Sequence, residues 1–219
     1  SCGMNKTIFV LCFLAGAGLA VFARAEPAFR PPVEVAAEAA AVTRERFPDA
    51  DTVLTYNLMH ERYHPDGTAE AWDDEYVTIL TEKGRRETGS RSVFFNVSYG
   101  TATVVRAEVL KPGGNAVPVD ISRQSRVMIE SGQMGANIYD PNNKILSLTI
   151  PGLEIGDTLH VLTRRTTTKA RVPDAWSDYA VFEYTAPILA VEILSPSTRR
   201  RDLLTKLDTR QHAGARTTG

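Results

Sequence analysis

The chain has 219 residues, 43% of them hydrophobic and 23% charged, which suits one domain with a sizeable core. Its formal charge of −1 excludes the broad basic field used by nucleic-acid-binding proteins. No acidic block marks a disordered solvating tail.

Met4 and Lys6 lead into an uninterrupted apolar run, Ile8 to Phe22, which closes on Ala23-Arg24-Ala25. A basic start, an apolar centre and small residues at the cleavage positions are the parts of an export signal, so residues 4–25 read as a signal peptide. The run is shorter than the ~20 apolar residues of a comfortable membrane span. An uncleaved membrane anchor is the alternative. The expected destination is the periplasm or the extracellular space. Both cysteines, Cys2 and Cys12, precede Ala25. The mature protein is therefore expected to carry no disulfide, no thiolate nucleophile and no cysteine metal ligand.

A Pro-rich leader, Glu26 to Pro32, precedes Val33 to Phe47, whose Ala and Glu content predicts a helix that Pro48 ends. After Asp51 the texture changes to short β-branched and aromatic runs separated by Gly, Pro, Asp and Asn. Thr52 to Tyr63, the turn His64-Pro65-Asp66-Gly67 and Thr68 to Leu80 predict a long hairpin, because Pro-Asp-Gly offers a fixed φ, a capping side chain and a residue tolerant of positive φ. Ser92 to Tyr99 and Thr103 to Leu110 predict two more strands. A turn at Lys111 to Asn115 then returns through Val117-Pro118-Val119. Gln124 to Asp140, interrupted by Gly132, Gly135 and Asn137, reads mostly as loop. Lys144 to Ile150, Thr158 to Thr167, Tyr179 to Tyr184 and Ile188 to Leu194 are the remaining expected strands. Without an alternating βα rhythm, this pattern predicts an all-β fold, an antiparallel β-sandwich with a short N-terminal helix. The expected divisions are a leader and helix at 26–50, the sandwich at 51–196 and a basic, polar tail at 197–219.

Seven pieces, in order, resemble the exported bacterial family called domain of unknown function 3857. They are Pro48 to Val53, Pro65-Asp66-Gly67, Ile79 to Gly84, Arg106 to Val109 with Lys111 to Gly114, Val117 to Asp120, Ile150 to Asp157, and the aromatic stretch Trp176 to Phe182 ahead of Pro187. The resemblance implies a β-rich domain that usually stands ahead of a transglutaminase-like domain. It does not imply catalysis in this domain. The sequence departs from the pattern in that no transglutaminase-like half follows, and no cysteine remains as its nucleophile. Either the chain is a truncated version or the domain acts alone.

His60-Glu61-Arg62-Tyr63-His64 spells H-E-x-x-H, and Gly67 and Glu70 continue a metzincin-like spacing. On a helix the two imidazoles would share a face and one zinc, with the glutamate activating its water. Pro65 forbids such a helix from continuing, and the hairpin reading puts the histidines roughly 13 Å apart at about 3.3 Å per strand residue. Zinc peptidase chemistry is thus the alternative function rather than the preferred one. Pro187 to Leu207 resembles part of a restriction-endonuclease-like nuclease family, but Ile188 stands where the metal-binding aspartate belongs, so Glu192 lacks that second ligand. Asp73-Asp74-Glu75 reads as a solvated edge that discourages edge pairing. Trp176 and Tyr179 suit core packing better than a ligand platform, and His160 and His212 have no sequence neighbours that suggest catalysis. The expectation is a non-catalytic binding or accessory module with no catalytic, cofactor-binding or metal-binding residues. Its candidate partners are a transglutaminase-like domain, a cell-envelope protein or a polysaccharide, with no nucleic acid.

Overall fold

In a computed structural model, residues 27–135, 139–172 and 186–194 are described. The signal segment at 4–25, the strand expected at Tyr179 to Tyr184, the aromatic pair Trp176 and Tyr179, His212 and the tail at 197–219 lie outside them.

The chain folds into two β-sheets with a helix on the outer face of the larger one. Strands β1 (Thr52–Tyr63) and β2 (Ala69–Ile79) form the expected hairpin, paired from Thr52 opposite Ile79 to Tyr63 opposite Ala69. The turn residues act as their chemistry predicts. Gly67 sits at φ 77° and its amide donates to the His64 carbonyl, while the Asp66 side chain accepts from the Thr68 amide at 3.0 Å. After the hairpin come α2 (Glu82–Thr88), β3 (Ser90–Asn96), β4 (Gly100–Leu110) and β5 (Ala116–Pro118). Then follow α3 (Ile121–Gln124), β6 (Ser125–Ile129), β7 (Asn143–Thr149), β8 (Thr158–Thr167) and β9 (Val191–Leu194). The larger sheet has the order β5-β4-β8-β2-β1-β9 and the smaller β3-β7-β6. Every pairing is antiparallel except β1 with β9, which run parallel.

Side chains alternate across a strand, so each strand of the larger sheet feeds two faces. One face contributes Leu54, Val77, Ile79, Ala107, Val109, Leu159 and Val161, which pack against Leu148 and Ile150 from the smaller sheet and its end. This is the sandwich core. The opposite face contributes Tyr56, Leu58, Tyr76 and Leu110, and these are covered by Val35 of α1 (Pro32–Ala39), with Phe29 and Ala36 beside it. Arg30 holds this covering segment in place, pairing with Glu38 at 2.6 Å and lying over the Tyr56 ring at 4.8 Å.

Three local expectations need correction. The N-terminal helix ends at Ala39 rather than near Phe47. Helix propensity is worth at most about 0.7 kcal/mol per ordinary residue, and burial outweighs it here: the chain turns so that Val42 and Phe47 join Ala50, Val53 and Leu80 in a separate cluster. Residues 124–140 are not mostly loop, because β6 pairs with β7 over five residues, Ser125 to Ile129. Helix α2 was not expected. It starts at Thr81, whose hydroxyl accepts from the Gly84 amide at 3.1 Å.

Residues that carried the family resemblance meet here as scaffolding. Asp51 accepts from Thr81 at 2.6 Å and from Lys83 at 2.7 Å, both contacts holding its carboxyl below the usual range. A Cβ on Gly84 would lie 2.1 Å from the Asp51 carbonyl, so only glycine fits that approach. Likewise Lys111 reaches buried Asp157 at 2.8 Å and Glu154 at 3.0 Å, tying the β4–β5 turn to the β7–β8 connection.

Candidate functional site

Two groups of polar residues on the larger sheet could do chemistry. They lie on its two faces.

The first is buried beneath the N-terminal segment. Register puts Tyr76 of β2 opposite His160 of β8, and His160 opposite Glu108 of β4. The His160 ring stacks on Tyr76 with centroids 4.0 Å apart, nearly parallel at 6°. Its Nε2 lies 2.7 Å from Asp74 Oδ1 and its Nδ1 lies 2.7 Å from Glu108 Oε1. Both ring nitrogens are thus occupied by carboxyl partners, one from each flanking strand. Burial raises the Tyr76 hydroxyl well above its ordinary value, and the Asp74 and Glu108 carboxylates push it further. Beside this cluster, buried Thr78 links Thr55 at 2.6 Å to Thr158 at 2.8 Å across three strands.

Sequence reading gave His160 no partner suggesting catalysis, and strand order supplies two carboxyl neighbours from distant segments. It also placed Asp73-Asp74-Glu75 on a solvated edge, whereas β2 lies between β8 and β1 inside the sheet. Asp74 is fully buried against His160. Asp73 accepts from Asn57 at 2.5 Å, and Glu75 pairs with Arg91 from the smaller sheet. Desolvation raises the carboxyls of both Asp73 and Glu75, with Asn57 and Arg91 respectively opposing it.

The second group lines an open cleft of about 470 Å³ where the two sheets part near the hairpin turn. Its walls come from the ends of β1, β2, β4 and β8 on one side and from β3 on the other. Phe94, which is 59% exposed, Phe95, Tyr63 and Tyr99 are among its lining residues. Arg165 lies 3.9 Å from Glu61, and the Arg171 guanidinium sits 5.3 Å from the Tyr99 ring centre. Aromatic faces beside a few charged groups are what a pocket needs to hold a ligand and orient it.

His60 and His64 belong to neither arrangement as zinc ligands on a helix. His60 lies within β1, opposite Trp72 of β2 and level with Leu194 of β9. His64 follows the strand, and its amide donates to the Thr68 carbonyl at 2.9 Å. The helical geometry that H-E-x-x-H requires is not formed. Among the described residues, no group of three or more His, Cys, Asp or Glu side chains is placed to hold a metal ion. Glu192 lies in β9, level with Leu58.

The comparisons are consistent with this architecture. A protein from Parabacteroides distasonis ATCC 8503, described as a "putative protease", superimposes with a TM-score of 0.55 at 18% identity, covering 65% of this chain and 28% of that one. This chain therefore spans under a third of that protein, and the likeness is one of fold. Weaker superpositions include a family 3a carbohydrate-binding module from Clostridium thermocellum and an M1 zinc metallopeptidase from Deinococcus radiodurans. The first has a TM-score of 0.30 at 11% identity, covering 58% of this chain and 87% of that one. The second has a TM-score of 0.25 at 11% identity, covering 54% and 21%. No curated protein matches. The family described as a domain of unknown function with a solved structure, DUF3857, matches residues 65–204, well over half of the sequence, and the chain belongs to that family.

Proposed function

We propose that this chain is an exported, non-catalytic binding or accessory module whose ligand-facing surface is the cleft between the sheets. The observation that carries the reading is the contrast in availability. The cleft exposes aromatic and charged side chains around about 470 Å³ of open space. By contrast, the acid–base group that most resembles a catalytic one has both imidazole nitrogens engaged by carboxylates. A histidine held that way has both ring nitrogens committed to partners inside the fold, so neither is turned toward a substrate. The apolar run ending at Ala25 supports export. The family resemblance supports a transglutaminase-like domain as partner, with a cell-envelope protein or polysaccharide as the other candidates.

Titration calorimetry of the purified chain against an isolated transglutaminase-like domain, and against soluble cell-wall polysaccharide, tests this reading. Saturable binding of either that is lost in Phe94→Ser is expected. Stoichiometric zinc with peptide hydrolysis, both abolished in His60→Ala, would instead establish a peptidase.

A further inference from the structure

The smaller sheet ends on an unusual edge. β6 pairs with β7 on one side, and no strand among the described residues pairs with its other side. Val127 faces the same way as Leu146, and Ile129 the same way as Lys144, because they are direct cross-strand partners. Leu146 is buried, yet Val127 is 57% and Ile129 44% exposed, and Met128 between them is 48% exposed. The inner face of this sheet therefore runs beyond what the larger sheet covers. An apolar edge of this kind is normally blunted by charge or proline, and Val127-Met128-Ile129 carries neither.

Among the described residues, the backbone shows which groups of β6 are paired and which face the open edge. The Glu130 amide donates to the Asn143 carbonyl of the β7 side at 3.1 Å. Hydrogen-bonding direction alternates along an antiparallel strand. The amides and carbonyls of Arg126 and Met128 then also address β7, and those of Val127 and Ile129 address the open edge. The flanking charges are opposite in sign, Arg126 before the apolar triplet and Glu130 after it.

We propose that β6 is a self-association edge on which a second copy of this chain docks antiparallel about a two-fold axis through Met128. In that register Val127 exchanges both backbone hydrogen bonds with Ile129 of the second copy, and the reverse. Arg126 comes opposite Glu130 of the second copy, so each dimer closes two opposite-charge cross-strand pairs. Slipping by one residue in either copy would misalign both the charges and the free backbone groups. The product is a continuous six-stranded sheet, β3-β7-β6 followed by its mirror order. The cleft is lined from the smaller sheet by β3, two strands away, so dimerisation leaves it open. The inference is independent of what the cleft binds.

Sedimentation equilibrium of the purified chain over roughly 1–200 µM tests it, since contacts below about 1,200 Å² in total form weak, transient interfaces. A mass rising toward twice that of the monomer is expected. Arg126→Glu and Glu130→Arg should each weaken association at least tenfold, because each sets like charges opposite one another. A one-to-one mixture of those two variants should restore it as a heterodimer, since one then carries two acids and the other two bases. Met128→Lys, which brings two ammonium groups together at the axis, should give a monomer. A wild-type chain that stays monomeric throughout would overturn the proposal, as would a dimer indifferent to the charge changes and their mixing.

Discussion

The two faces of the larger sheet treat charge in opposite ways. Under the N-terminal segment, buried Asp74 and His160 and half-buried Glu108 are turned toward one another. At the hairpin end of the other face, Glu61, Arg165 and Arg171 surround an open cleft alongside exposed aromatics. The same residue types thus serve cohesion in one place and availability in the other. Burial and mutual pairing mark the first, and convergence on open space marks the second.

The comparison breaks most visibly if the buried cluster proves dispensable. His160→Ala leaves buried Asp74 and half-buried Glu108 without the group between them, and losing one partner of a buried charged set costs about 3–5 kcal/mol. Urea unfolding should show a loss of that size; a change near zero would remove the cluster from the list of stabilising features. A smaller and opposite effect is expected at Asp73, whose carboxyl is raised by desolvation. An acid raised in the folded state contributes stability when protonated, fully so below its unfolded value, and that contribution is lost as pH rises through the folded one. Asp73→Asn keeps an oxygen for Asn57 and removes the charge, so it should stabilise by below about 1 kcal/mol at neutral pH. The advantage over wild type should shrink as pH falls toward the ordinary carboxylate range near 4. Thermal unfolding across that range measures it. The smallest effect on stability is expected in the cleft. Phe94→Ser removes an exposed ring and should change unfolding free energy by less than about 0.5 kcal/mol, even as it abolishes binding.

Local chemistry made much of the fold legible. Pro65-Asp66-Gly67 located the hairpin, and β-branched runs located β4, β7 and β8 within a few residues. Strand β6 was missed because Gly132 and Gly135 coloured the reading of the whole segment, although both lie beyond it, in the 3₁₀ turn Ser131–Gly135. Helix α2 was missed because its seven residues, Glu82 to Thr88, carry no apolar stripe. The buried cluster was out of reach for a different reason. His160 finds Asp74 86 residues away and Glu108 52 residues away. Only strand order brings them together, and strand order is not written in any one segment. The same ignorance put Asp73-Asp74-Glu75 on an edge, since a run of three acids looks the same whether its strand is outermost or central. The cleft, too, depends on where two sheets diverge.

The covering segment has a consequence for how the chain comes to be folded. Phe29 and Val35 are synthesised before their seat, which is built from Tyr56, Leu58, Tyr76 and Leu110 on a sheet whose central strand β8 ends at Thr167. These early apolar residues are therefore among the last to be sheltered. Contacts so distant along the chain slow folding and leave sticky intermediates. A polypeptide built in this order benefits from being held unfolded until its final strands are available.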